Sequence, residues 1–261
     1  MKSIFFFLLF CISFPLLSQV NTEAFRNKNN QKGFSGRFGI STQFNSGNSE
    51  FSNIGFSLRS DYINDFNNTF FVSNYERVTG NNELVSNRGF THVRSSFPLT
   101  SFFDAEVFIQ KEFNNFILLN DRNLYGVSGR FCVLNHSTDS ISIVENTFSK
   151  VNFYLGNSFF YEREVLDLEN DTTTKIFRSS VNITSVVQLK EYIQLTFASY
   201  LQFDVNRVSD HRILVNSTLS IKIFSNLSFL VGVIYRYDSE PPSILLRPFD
   251  LSLTNGLSYN F

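Results

Sequence analysis

The sequence predicts an all-β protein, a transmembrane antiparallel up-and-down β-barrel of about 12 strands. Three observations predict it: a secretory leader at the start, a two-residue alternation of apolar and polar side chains through most of the chain, and an amphipathic last strand ending in phenylalanine.

The leader comes first. Lys2 gives a small positive region, Ile4 to Leu17 form an apolar run, and Ser18, Gln19, Asn21, Thr22 and Glu23 are polar at once. That is the layout of a signal peptide cleaved after Ser18. A membrane-anchoring helix is excluded by length, because about 14 apolar residues rise only about 21 Å against a hydrocarbon core of about 30 Å. Lipidation of Cys11 is disfavoured, since bulky Phe10 precedes it and Ile12, Phe14, Leu16 and Leu17 continue the apolar run. The expected organisation is a signal peptide over 1–18, a short periplasmic segment over 19–32 and a single barrel domain over 33–261. The mature chain keeps one cysteine, Cys132, and so has no internal disulfide. With a net charge of −1 it offers no attraction to nucleic acid.

Composition agrees with the alternation. The 261 residues include 33 Phe, no Trp and one Met, yet hydropathy is near neutral because Asn and Ser are plentiful. A wall in lipid shows its rings on one face of each strand and its polar residues on the other. Beyond the leader no apolar stretch reaches 18 residues, so helical spanning is excluded.

The strands follow in order. Phe34, Phe38, Ile40 and Phe44 oppose Ser35, Arg37, Ser41 and Gln43. Less regular strands fit around 51–61, 69–78, 87–97, 102–112 and 122–133. From 151 to 162, Val151, Phe153, Leu155, Phe159 and Tyr161 oppose Asn152, Gly156, Ser158 and Glu162. From 177 to 189, Phe177, Val181, Ile183 and Val187 oppose Arg178, Ser180, Asn182, Thr184 and Gln188. The longest run, 192–205, sets Ile193, Leu195, Phe197, Leu201 and Phe203 against Gln194, Thr196, Gln202 and Asp204. Two more cover 212–223 and 227–237. Side chains on a strand alternate between faces, and 10 or 11 tilted residues cross an apolar band of about 25 Å. Short turns at 64–67, 98–101, 190–191 and 224–226 are expected on the periplasmic side, and longer loops near 79–86, 113–121, 165–174, 205–210 and 238–249 outside. The long 134–149 connection breaks this alternation, and its Ile141, Ile143 and Val144 suggest strand.

At the C-terminus Leu251, Leu253, Leu257, Tyr259 and Phe261 share one parity against Ser252, Thr254, Gly256, Ser258 and Asn260. Leu257, Tyr259 and Phe261 form the candidate assembly signal, read by barrel-assembly machinery. A secreted β-sandwich would alternate too, but shorter strands would serve it and its edges would need Lys or Pro protection. Together the three features predict the outer membrane of a Gram-negative bacterium, reached by export through the inner membrane.

Three segments carry a family resemblance: Gly47-Asn48-Ser49 after the first strand, the run Gly126-Val127-Ser128-Gly129-Arg130-Phe131, and the last hairpin. That hairpin reads Tyr235-Arg236-Tyr237-Asp238-Ser239-Glu240-Pro241-Pro242, then Asp250, then Leu257-Ser258-Tyr259-Asn260-Phe261. Over nearly the whole mature chain this resembles the salt-induced outer-membrane proteins, domain of unknown function 481. Phe131-Cys132 departs from the Gly-Tyr more usual there. The resemblance implies an outer-membrane barrel without an established substrate, and it supplies no catalytic residues.

No constellation carries catalytic, cofactor or metal chemistry. His92, His136 and His211 lie far apart, outside any His-x-x-x-His or Cys-x-x-Cys spacing. His92, with Ser95 and Ser96 nearby, is the one candidate for a membrane-embedded lipid hydrolase, against the plainer reading of a lumen residue. The informative residues are charges whose parity points inward: Arg37, Arg59, Asp61, Glu106, Arg130, Glu162, Arg178, Asp204, Arg212, Lys222 and Arg236. They either line an aqueous path for a small polar solute or pair across the lumen and plug it. The expected functions are therefore a narrow permeability barrel, a structural or surface-interaction barrel, and, as a distant third, the hydrolase. The expected partners are outer-membrane lipid, the assembly machinery and an unidentified solute; no cofactor and no enzyme activity are expected.

Overall fold

Alternation resolves into strands throughout. In the computed structural model, which describes residues 32–46, 50–81, 83–137, 150–168, 172–225, 227–243 and 246–259, twelve strands occur in chain order. They are β1 (Gly33–Asn45), β2 (Phe51–Ile63), β3 (Asn68–Gly80), β4 (Glu83–Pro98), β5 (Phe103–Asn114), β6 (Leu119–Ser137), β7 (Lys150–Leu166), β8 (Thr172–Lys190), β9 (Ile193–Asp204), β10 (His211–Lys222), β11 (Leu227–Asp238) and β12 (Phe249–Tyr259). Each pairs antiparallel with its sequence neighbour, giving one sheet in the order β1 to β12. A single 3₁₀ turn, Asn115–Ile117, is capped by the Asn114 side chain accepting from the Phe116 amide. Among the described residues no helix is long and apolar enough to cross a membrane.

Register shows which face is which. Directly paired residues share a face, so the chain Arg59↔Val72↔His92↔Gln110↔Leu124↔Glu162 lies on one side of the sheet. Along that side Asp61, His92, Glu106, Arg122, Glu162, Arg178 and Arg212 are buried. On the opposite side Phe34, Phe44 and Leu251 are 76%, 68% and 68% exposed, whereas Glu162 is 1% exposed. A water-soluble protein arranges these classes the other way round.

The sheet curls around its polar face. Glu164 of β7 and Arg212 of β10 meet at 3.1 Å, although a flat sheet would hold their strands about 14 Å apart. One small cavity is lined from β4, β5, β6, β7, β8, β9 and β10 together. The curl does not close through hydrogen bonds, since among the described residues β1 and β12 are not paired with one another.

Several boundaries differ from the sequence reading, most in the direction of longer strands, although β9 (Ile193–Asp204) is one residue shorter at each end than the 192–205 expected. β4 begins at Glu83, so the loop expected over 79–86 contracts to a turn containing Asn81, at φ 51°. β7 runs to Leu166 and β8 begins at Thr172, both inside the span 165–174 expected as loop. β6 runs to Ser137 and pairs it with Lys150, so the first part of the 134–149 connection is strand; Ile141, Ile143 and Val144 lie outside the described residues. The cause is backbone pairing, which continues for as long as partners are available and does not stop where the apolar rhythm fades. The proposed leader over 1–18, residues 19–31 and Phe261 also lie outside the described residues.

The interior departs from the expected polar filling. Phe70, Val72 and Phe90 form one buried cluster, Phe108, Leu124 and Phe160 a second, and Ala198, Tyr200 and Leu214 a third. Gly126 makes room for the second: a Cβ there would meet the Phe108 ring and lie 2.6 Å from the Phe160 Cβ. Gly126→Val is therefore expected to destabilise the fold by about 1–3 kcal/mol. Gly256→Ala, facing open space, should stay within about 0.5 kcal/mol. Heat-modifiable gel migration over a temperature series checks both, and equal midpoints for the two variants would contradict the packing.

Candidate functional site

The inward parity assembles a charged lattice near the ends of the strands that carry the longer loops. Glu162 of β7 is its centre. It accepts from Arg178 Nε at 3.0 Å and from Arg212 Nη1 at 3.1 Å to each carboxylate oxygen, with Arg122 Nε 4.0 Å away. Two residues on, and so on the same face, Glu164 accepts from Arg122 Nε at 3.0 Å and Arg212 Nη2 at 3.1 Å. Arg122 also pairs with Glu112 of β5, and Arg212 with Asp238 of β11 at 3.0 Å. Arg178 grips Asp210 of the β9–β10 loop with two parallel bonds of 3.0 Å. Three arginines thus join carboxylates from β5, β7, the β9–β10 loop and β11 across the lumen.

Such burial is tolerated because the charges satisfy one another. An ion removed from water loses several kcal/mol of hydration, recovered only when its hydrogen-bonding positions are filled. Arginine suits this, since its planar fork serves two carboxylates at once.

Other inward charges form smaller groups. Arg59 binds Asp61 through Nε at 2.6 Å and Nη2 at 2.7 Å, and lies 5.9 Å over the Phe70 ring. Glu106 accepts from Arg94 at 3.0 Å and from the hydroxyls of Ser96 and Ser128 at 2.9 Å each. Arg130 sits 3.6 Å over the Tyr154 ring and 3.5 Å from Asp104. Arg88 pairs with Glu76. Arg236, buried on β11, is in register with Asp250 of β12.

The structure therefore brings Glu162, Arg178 and Arg212 together and leaves other predicted residues apart. Asp204 is buried beside Arg178 in register, but its carboxylate accepts from the Asn206 amide at 2.9 Å and shapes the β9–β10 loop. Lys222 is exposed at the far end of β10. Arg37 is in register with Arg59, and its side chain lies outside the described residues, as do those of Leu257 and Tyr259. Arg88, Arg94, Glu112, Arg122, Glu164, Asp210 and Asp238 were missed. The even-numbered spacing of Arg88, His92 and Arg94, and of Glu106, Gln110 and Glu112, was a usable signal, masked by the apolar Phe90 and Phe108 within it.

His92 is inside, stacked between Phe70 and Phe108 at 5.7 and 5.8 Å, with Nδ1 3.0 Å from Gln110 Oε1. Ser95 has the opposite parity and shares a hydrogen bond with Thr69. Ser96 shares the inward face with His92 and donates to Glu106, so no His–Ser pair faces lipid at this place: His92 and Ser96 are buried inside, and Ser95, three residues from His92, faces the other way. Among the described residues no group of His, Cys, Asp and Glu is arranged to hold a metal ion.

Two further cavities frame the lattice. One of about 310 Å³ lies against the inner faces of β1 to β5, where Gly39, Ser41, Gly55 and Ser57 leave space beside Asn74, Glu76 and Arg88. Another of about 270 Å³ lies at the mouth, between the Asn115–Ile117 turn and the β11–β12 loop with Pro241 and Pro242. The interior centred on the lattice retains only about 50 Å³.

The fold and interior define the class, an up-and-down antiparallel β-barrel architecture with apolar residues outside and paired charges within. A family model described as a protein of unknown function, DUF481, matches residues 38–261, and the chain belongs to that family. No curated protein matches. Among solved structures, that of the porin NanC in a rhombohedral crystal form is similar over 86% of this chain and 100% of its own, with 9% identity and a TM-score of 0.49.

Arg212 holds three carboxylates, whereas Arg207 and Glu240 form an exposed pair at 2.7 Å. Arg212→Ala is expected to cost about 3–5 kcal/mol by stranding buried charge. Arg207→Ala should cost about 1 kcal/mol or less. Denaturant titration of the refolded protein separates them, and similar costs would contradict the lattice.

Proposed function

We propose that this chain is an integral outer-membrane β-barrel, exported by a cleaved leader, with a narrow polar passage for small solutes along one side of its lumen. The observation that carries it is the inverted polarity of the wall: apolar rings outside, arginine–carboxylate pairs inside. Strands of 11 to 19 residues exceed the roughly 10 needed to cross. Exposed aromatics at both ends, Tyr62, Phe66 and Phe102 at the tight turns and Tyr75 and Tyr125 toward the longer loops, suit the two interfacial girdles of such barrels. The longer loops face outward in this reading, and β12 presents the assembly signal. In this reading the protein is a non-enzyme.

The passage follows the small-residue wall. On the β4–β10 side, large side chains and the lattice leave about 50 Å³, while beside β1 to β5 about 310 Å³ stays open. Conductance in planar bilayers tests this. Small stepwise currents are expected from the wild type, enlarged by Arg212→Ala, which removes the central cation of the lattice. A silent membrane at high protein load would remove the passage and leave the second reading, a structural barrel with a plugged lumen, which the tight packing around Glu162 favours.

Lipid also requires the edges of β1 and β12 to pair, because hydrocarbon offers no partner for an unpaired backbone amide. In a Cys132→Ser background, Ser41→Cys combined in turn with Ser252→Cys, Thr254→Cys or Gly256→Cys should yield an oxidised cross-link from membranes for at least one combination. No cross-link from any of the three would contradict closure at this seam.

A further inference from the structure

The outer face carries a cationic row that the lumen and its passage do not use. Direct register pairs Ser73↔Thr91↔Lys111↔Asn123↔Arg163↔Lys175 across β3 to β8, so these six residues form one continuous line around the outside of the wall. They are not scattered loop charges. Lys111 Nζ lies 3.1 Å from Asp121 Oδ1, and Arg163 Nη1 donates to Asp121 Oδ2 at 3.2 Å. One carboxylate thereby holds two cationic heads side by side, and Lys175 is in register with Arg163. Three cations against one acid leave the cluster positive by two charges, and Lys111, Lys175 and the nearby Arg77 on β3 are exposed.

Its level on the wall identifies its surroundings. Two residues along each strand, about 7 Å toward the tight-turn end, lies the row Phe71↔Val93↔Ile109↔Tyr125↔Tyr161↔Phe177. Tyr161 packs on Phe177 with ring centroids 5.4 Å apart. The cations therefore stand within the aromatic girdle of the long-loop end, with Tyr125, Tyr161 and Phe177 two residues toward the tight turns and Tyr75 and Phe113 two residues toward the loops, at the height where lipid headgroups begin. The patch is also one-sided. At the same end of β9 to β12 the outward strand residues Phe203, His211, Ile213, Tyr235, Tyr237, Phe249 and Leu251 include no lysine or arginine, and Arg207 of the β9–β10 loop is paired with Glu240 and Asp210. Among the described residues, Glu83 and Asp167, acids at the ends of β4 and β7, lie farther toward the loop tips.

We propose that Lys111, Arg163 and Lys175 form a binding surface for the anionic phosphate groups of lipids in the leaflet on the long-loop side. Such a surface anchors the barrel at a fixed depth and orients its β3–β8 arc toward negatively charged lipid. Ammonium and guanidinium groups suit phosphate oxygens in charge and hydrogen-bonding geometry. The inference rests on the membrane reading above, and its test separates the two.

The test is native mass spectrometry of the full mature protein in micelles containing equal phosphatidylglycerol and phosphatidylcholine. The wild type is expected to retain phosphatidylglycerol about tenfold over phosphatidylcholine, with each cation near an anionic headgroup worth about fivefold at most. Lys111→Gln/Arg163→Gln/Lys175→Gln should bring the ratio close to one, and Lys175→Gln alone should lower it severalfold. Lys222→Gln, at the opposite end of the wall, should leave it unchanged. An unaltered ratio in the triple variant overturns the proposal. Equal displacement of bound lipid by millimolar inorganic phosphate also overturns it, by assigning the row to free anions. Insertion into pure phosphatidylcholine vesicles, followed by heat-modifiable migration, is read separately: its failure strikes the barrel reading, whereas a lost preference with intact insertion strikes only the lipid surface.

Discussion

The interior depends on one requirement, that carboxylates deprived of water be met by guanidinium groups. Glu162 and Glu164 stand two residues apart on β7, both buried and both facing inward. Like charges so close are tolerable only because Arg122, Arg178 and Arg212 converge on them from β6, β8 and β10. The convergence in turn requires curvature, since β7 and β10 are not neighbours. The lattice is thus a consequence of the curl and a constraint that holds it.

The remaining interior space follows from which side chains the lattice leaves beside it. Phe108, Leu124 and Phe160 pack next to it through the opening at Gly126, and His92 is wedged between Phe70 and Phe108. Midway along β1 and β2 the inward residues Gly39, Ser41, Gly55 and Ser57 are too small to reach across. The asymmetry between a filled side and an open side comes from side-chain volume.

The outer face obeys a different rule. Its alternate positions touch only neighbours on the same face, as Tyr161 touches Phe177 and Asp121 holds Lys111 and Arg163. Apolar and aromatic residues dominate the middle, and charged residues reappear where Lys111, Asp121, Arg163 and Lys175 stand. Along β5, β7 and β8 the change from apolar side chain to cation takes two residues, from Ile109, Tyr161 and Phe177 to Lys111, Arg163 and Lys175.

Much of this was legible in the chain itself. The alternation of β9, with Leu195, Phe197 and Leu201 against Thr196 and Gln202, determines a strand with two unlike faces, because the side-chain period of an extended backbone is two. The same parity placed Glu162, Arg178 and Arg212 on one side. It could not determine that they touch, nor that Asp210 leaves its loop to join Arg178, because those contacts depend on curvature across strands far apart in sequence. Strand ends at Glu83 and Thr172 were likewise decided by backbone pairing with a neighbour. The apolar interior around Phe70, Phe90 and Phe108 was hidden for the same reason: a single strand reveals which way a residue points, and only the assembled wall reveals what it meets there.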